Sequence, residues 1–228
     1  MLNAYDDTKA IEAGVAEGRH RGLVGGMWDE IGQLQFAYLS ANGLTPGARL
    51  LDIGCGSLRG GVHFVGYLEP GHYFGLDSNP SLLEAGYEKE LGPLGLQDKL
   101  PRANLATDGE FRFEGYDEPF DFALAQSLFT HLPINHLRLC LARLWPRMKV
   151  GGRLFATFFL MPDDHPIGEP LVHAIGGVTT RDWRDPYHYY VRDLAYAAEG
   201  LPWRLIVRGD WNHPRDQQMV EFVRVAGD

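Results

Sequence analysis

The chain has 228 residues, 45% of them apolar, with 30 acidic side chains against 21 basic ones and a formal net charge of −9. That apolar content supplies a globular core and excludes a disordered chain, and the acidic balance argues against a nucleic-acid or anionic-membrane partner, which selects for a basic face. The two cysteines, Cys55 and Cys140, are too few for a secreted disulfide scaffold and lack metal-ligand spacing.

The opening MLNAYDDTKAIEAG has no basic stretch followed by an apolar run, and no segment approaches the roughly 20 apolar residues of a membrane span. The expectation is a soluble cytoplasmic protein with no membrane span. Residues 1–17 are polar with weak helical spacing. Gly18–Gly26 is glycine-rich and reads as a loop, with Arg19, His20 and Arg21 its one basic cluster. Trp28, Ile31, Leu34, Gln35, Tyr38 and Leu39 repeat at helical spacing, with Asn42–Gly43 as the stop.

Thr45–Gly47 turns into Leu50–Gly61, LLDIGCGSLRGG. Apolar Leu50, Leu51 and Ile53 around Asp52 predict a buried parallel strand. The glycines after it allow a ligand to meet backbone N–H groups. A helix over 59–68 follows, its positive end directed at the turn. His72–Leu76 predicts a second strand ending in Asp77. Asn79–Pro80 then predicts a capped helix running to about Leu91.

Ala103–Thr107 predicts a third strand ending near Asp108, and Phe120–Gln126 a fourth. Ile134, Leu137, Leu141 and Leu144 mark an amphipathic helix. Gly151–Gly152 breaks the chain before an apolar strand over Arg153–Leu160. Met161–Arg184 is irregular, Val191–Glu199 reads as a helix, and Trp203–Val207 with Met219–Val225 as a closing antiparallel pair. Strands alternating with helices imply a doubly wound α/β fold with helices on both faces of a parallel sheet.

A Gly turn with an acid at the end of the next strand fits NAD(P), FAD or S-adenosylmethionine (SAM). A pyrophosphate site asks for a third glycine where this chain has Arg59. Taken in order, Asp52-Ile53-Gly54-Cys55-Gly56, Phe74-Gly75-Leu76-Asp77, the strand at Phe120–Gln126 with Ser127–Leu132, and Lys149–Leu154 resemble the motifs of class I SAM-dependent methyltransferases. The closing strand pair is similar to that family's, whose antiparallel seventh strand lies beside the fifth. Leu58 departs from the pattern, since many members carry glycine there.

The resemblance implies a single domain over 1–228, a mostly parallel seven-stranded sheet with an antiparallel C-terminal hairpin. Within it, 1–44 would be a helical lid, 45–160 the SAM-binding core and 161–228 a substrate-side insertion, helix and hairpin. It implies that Gly54 and Gly56 line the methionine and ribose portion of SAM, that Asp77 holds the ribose hydroxyls, that Asp108 lies beside the adenine and Gln126 near the methionine. Asp52, Ser57 and Ser78 complete the implied cofactor set, and S-adenosylhomocysteine (SAH) is the implied product.

The acceptor is narrowed by what is missing. Ala125-Gln126-Ser127-Leu128-Phe129 replaces the Asp/Asn-Pro-Pro-Tyr run that resembles amino-group methylation. Neither cysteine resembles a nucleophile for pyrimidine methylation, and no His/Asp cluster has the spacing of a metal-assisted site. A small-molecule or saccharide acceptor, at oxygen, is the expectation, with no metal. His213, in the crowded Trp211–Gln217 loop, and His131 are the candidate bases. His20, Arg21, Trp28, Tyr189 and Trp211 are candidate substrate contacts. A non-catalytic SAM-binding protein acting through a protein partner, and an NAD(P)-dependent oxidoreductase, are the competing readings.

Overall fold

The computed structural model describes residues 7–227. The chain divides into two compact units, one ending at Glu110 and one starting at Phe111.

The first unit begins with α1 (Thr8–Ala16), α2 (His20–Leu23) and α3 (Trp28–Ala41). The α2 turn corrects the loop reading of Gly18–Gly26. His20 and Leu23 find tertiary partners, and these override the low helix propensity of a glycine-rich stretch. The expected helix over Trp28–Leu39 forms and stops at Asn42, whose side-chain amide donates to Tyr38 O at 2.9 Å.

β1 (Leu50–Ile53) is buried throughout, as an apolar run bounded by glycines should be. It is followed by α4 (Gly61–Tyr67), β2 (Tyr73–Asp77), α5 (Pro80–Ala85) and β3 (Leu105–Thr107). The strands lie parallel in the order β3-β2-β1. Parallel pairing brings the carboxyl ends of all three to one edge, where Gly54, Asp77 and Asp108 follow. Asn79 caps α5 as its side chain and the next proline require, accepting from Ser81 N at 3.0 Å and Leu82 N at 3.3 Å. Beyond Ala85 the helix widens into π-type turns over Gly86–Leu91.

The second unit holds β4 (Phe120–Ala125), α6 (Ile134–Leu144), β5 (Met148–Leu160), β6 (Leu171–Val172), β7 (Thr179–Thr180), β8 (His188–Tyr189), α7 (Val191–Ala198), β9 (Trp203–Gly209) and β10 (Gln218–Arg224). β4 pairs with β5 in parallel, and β10 lies antiparallel between β5 and β9. The last strand therefore sits beside the fifth, as the sequence predicts. β8 extends the end of β5, and β6 with β7 forms a separate small hairpin.

β5 starts earlier than expected. Gly151–Gly152 does not break it but bulges it, since Phe120 pairs with Met148 while Phe122 pairs with Arg153. Gly151 has φ +81°, and a Cβ at Gly152 would lie 2.7 Å from Lys149 O. Glycine inside a strand pattern signals such a bulge as readily as an end. Among the described residues no helix is long and apolar enough to cross a membrane.

Candidate functional site

In the first unit the glycine turn is fastened to β2. Gly54 N and Cys55 N both donate to Leu76 O, at 2.7 and 3.1 Å. Gly56 N donates to Asp77 Oδ2 at 2.8 Å, and Asn79 N to Asp77 Oδ1 at 2.9 Å. Asp108 N donates to Asp77 O at 2.9 Å, and Glu110 N to Asp108 Oδ1 at 2.8 Å. Ser78 lies beside Gly109, where an added Cβ would come within 3.2 Å of it. Gly54, Gly56, Asp77, Ser78 and Asp108 thus gather at the carboxyl ends of three strands, the edge at which open α/β sheets bind ligands.

Burial pushes the Asp77 carboxyl up, against backbone N–H bonds from Asn79, Gly56 and Ser78 that lower it. Asp52 sits deeper. Burial pushes it up to about 7, opposed by the hydrogen bond from Tyr73 OH at 2.8 Å. Its side chain hydrogen-bonds the buried Tyr73. Cys55 is buried, and burial raises its thiol well above the ordinary range.

Leu58 resolves the departure noted in the sequence. It takes φ +66°, the left-handed conformation that glycine favours, so the turn keeps its path. Its buried side chain enters a slot left by two other glycines: a Cβ at Gly61 would lie 2.9 Å from Leu58 Cβ, and one at Gly86 2.6 Å from Leu58 Cγ. α4 begins at Gly61 rather than Arg59. Arg59 stays in the turn, donating Nη1 to Val24 O and Gly26 O, both at 2.9 Å.

The candidate lid residues lie against this turn. Ser57 Oγ–H donates to His20 O at 3.4 Å. A Cβ at Gly56 would lie 2.6 Å from Val24 Cγ1. His20 Nε2 and Arg21 both bond the buried carboxylate of Glu90. Trp28 takes the Arg21 guanidinium over its face at 4.9 Å. The space a Cβ at Gly56 would take is held by Val24. The fit to a nucleoside-bearing cofactor rests on Asp77. The Asp77 carboxylate, with capacity for about four acceptor bonds, retains some beyond those to Gly56, Ser78 and Asn79.

In the second unit Gln126, Trp211 and His213 come together. Gln126 Nε2 lies 3.3 Å from His213 Nε2, and Trp211 stacks on His213 with ring centroids 5.4 Å apart. Trp211 Nε1 donates to Gln217 O at 2.8 Å. Gln217 Oε1 accepts from Ser127 Oγ at 2.8 Å and Thr157 Oγ1 at 2.7 Å, while Ser127 N donates to Thr157 Oγ1 at 2.7 Å. Gln217 therefore ties the β9–β10 loop to the ends of β4 and β5.

His131 and Tyr189 form a second group. His131 Nδ1 lies 2.6 Å from Asp185 Oδ1. Tyr187 N donates to Thr130 O at 2.7 Å, and Tyr189 OH to Leu132 O at 2.5 Å. Burial raises the Tyr189 phenol above its ordinary range. Elsewhere in the insertion, Thr180 Oγ1 bridges His173 Nε2 at 3.0 Å and His188 Nδ1 at 2.8 Å, and burial holds both imidazoles down. The sequence reading missed Glu90 and Asp185, and gave Gln217, within the crowded loop, no role of its own. Each is a polar residue whose partner lies far along the chain.

Residues 51–154 match the methyltransferase domain family. Among solved structures the chain is similar to the magnesium protoporphyrin IX methyltransferase of Synechocystis PCC 6803 with bound SAM, at 15% identity and TM-score 0.61, over 96% of this chain and 97% of that one. It is similar to the CcbJ methyltransferase of Streptomyces caelestis at 13% identity and TM-score 0.64, over 86% and 90%. It also resembles an O-methyltransferase family protein of Burkholderia thailandensis at 14% identity and TM-score 0.65, over 92% and 60%. A methyltransferase domain in this α/β fold defines a methyl-transferring enzyme. Residues 51–154 thus carry a methyltransferase domain, and the chain has the fold of SAM-dependent methyltransferases, as its motif order implies.

Proposed function

We propose that the chain transfers a methyl group from SAM to a small-molecule or saccharide acceptor, at oxygen. SAM supplies an activated methyl on a good leaving group, so the protein's task is to hold donor and acceptor in line. In this reading Asp77 holds the ribose hydroxyls, Asp108 and Ser78 flank the adenine side, and the Gly54–Ser57 backbone carries the rest. Asp52 supports the turn from below.

The observation that carries oxygen is the pairing of His131 Nδ1 with Asp185 Oδ1 at 2.6 Å. A hydroxyl must lose a proton on methylation, and a base serves that step. An ionised carboxylate only accepts hydrogen bonds, so the proton of a neutral His131 sits on Nδ1 and the lone pair on Nε2. That is the tautomer a general base needs. His213 is arranged differently. Its Nδ1 accepts from Arg215 N at 3.2 Å, and its Nε2 faces the donor Nε2 of Gln126 at 3.3 Å, so these two contacts together do not fix the proton on one nitrogen. The reading gives His131 the base role and His213, with Trp211, a positioning role. It keeps His20, Arg21 and Trp28 in the first unit, and Tyr189 in the second, as substrate contacts.

The neighbours' acceptors differ, and the net charge of −9 supports a small acceptor over a nucleic acid. Incubation with methyl-labelled SAM and a panel of hydroxylated small molecules and sugars tests the reading. Label in an ether or ester is expected. Label in amines or in RNA alone overturns it.

A further inference from the structure

Glu90 lies in the π-type turns after α5 and is 5% exposed. Its carboxylate accepts from His20 Nε2 at 2.6 Å, from Arg21 Nε at 2.8 Å and from Arg21 Nη2 at 2.7 Å. Burial pushes this carboxyl up, and the Arg21 and His20 hydrogen bonds more than offset it, leaving it below the ordinary range. It is a buried charge with three charge-assisted donors, all from one short segment, 69 and 70 residues away.

That segment, 20–26, is a strap laid across the glycine turn. Arg59 holds its far end through Val24 O and Gly26 O. Val24 sits against Gly56, and His20 O receives Ser57 Oγ–H. Gly25, Gly26 and Met27 are all left-handed, at φ +90°, +63° and +48°, so the strap ends in a sharp bend before α3. Leu23 and Val24 are only half-buried. Polar contacts rather than a large apolar face hold it, and removing one partner of a buried pair costs much of the whole arrangement.

We propose that Glu90 is a positioning residue for the cofactor: by anchoring His20 and Arg21 it holds the 20–26 strap over the Gly54–Ser57 cradle and so slows the release of bound SAM and SAH. This rests on the proposed docking of SAM at that cradle. Glu90 touches neither the cradle nor a ligand there and acts through the strap. Opening the strap breaks its three bonds together, so the strap behaves as closed or open rather than as a graded flap.

SAH is the probe. Its dissociation rate is measured by displacement with labelled SAM for the wild type, Glu90→Ala, Glu90→Gln and Arg21→Ala, beside ligand-free melting and amide exchange over 20–26. Exchange in the strap should slow when SAH binds the wild type. Glu90→Ala should release SAH about tenfold faster or more, with Glu90→Gln between it and the wild type, because the amide keeps an acceptor but no charge. A general loss of stability does not produce that order in release together with faster exchange confined to the strap. Should Glu90→Ala fail to fold, Arg21→Ala, at an exposed position, carries the test and should release SAH several-fold faster. No SAH binding by the wild type would overturn the cofactor reading itself. Binding with release within about twofold of wild type in every folded variant would overturn the role of Glu90 alone.

Discussion

The backbone N–H of Gly56 donates to Oδ2 of Asp77 at 2.8 Å, so the acid at the end of β2 holds the turn that follows β1. Asn79 N occupies the other carboxylate oxygen at 2.9 Å. One side chain therefore fixes the cradle, starts the next helix and retains acceptor capacity for a diol.

Asp77→Asn should weaken SAH binding by about tenfold or more, since an amide offers one acceptor oxygen where two are used. Titration calorimetry with SAH measures this. Binding within about twofold of wild type would remove Asp77 from the cofactor site.

Gly86→Ala should destabilise the first unit by about 1–3 kcal/mol through overpacking. Its Cβ would meet Leu58 Cγ at 2.6 Å and the Ser57 backbone carbonyl at 2.8 Å. Trimming Leu58 to Ala in the same chain should not restore SAH binding, because the clash with the Ser57 backbone remains. Urea denaturation and SAH titration of the single and double variants check both parts.

Asp52 carries a pH signature. Its folded pKa of about 7 lies above the usual carboxyl value of 3.8. Between those values the folded state binds more protons than the unfolded one, so stability falls as pH rises through about 4 to 7 and stays reduced above it. Asp52→Asn removes that slope and keeps an acceptor for Tyr73 OH. The melting temperature of the variant relative to wild type should therefore rise between pH 5 and pH 8 in ligand-free protein. A constant difference across that range would contradict the buried, protonating Asp52.

The carboxylate partner fixes the tautomer of His131. Nitrogen-15 imidazole spectra near neutral pH should show neutral His131 protonated at Nδ1. Asp185→Asn should move the His131 signals and leave those of His213 in place. Once an acceptor is in hand, the same variant should lower kcat by about 100-fold at unchanged SAM affinity, the scale of one general base. A KM effect alone would make the pair structural.

Much of the fold was legible because it depends on local rules. Leu50–Ile53 is apolar and bounded by glycines, so it is a buried strand. Asn79–Pro80 caps a helix because the side chain and the ring dictate it. The motif order from Leu50 to Leu160 then specified the class of enzyme. The readings that failed turned on non-local partners. Gly18–Gly26 contains a helical turn because His20 meets Glu90, and Gly151–Gly152 is a bulge because β4 offers a partner on both sides of it.

What the sequence determined by itself is the turn: its glycines, its acid and the strands that carry them, each set by backbone freedom and period. What only the tertiary structure decided is which polar side chains meet. Glu90 and Asp185 look like ordinary surface polar residues in the chain, and Gln217 like one more polar group of a crowded loop. They matter because folding places them beside His20, Thr157 and His131, and a hydrogen bond depends on distance in space rather than in sequence.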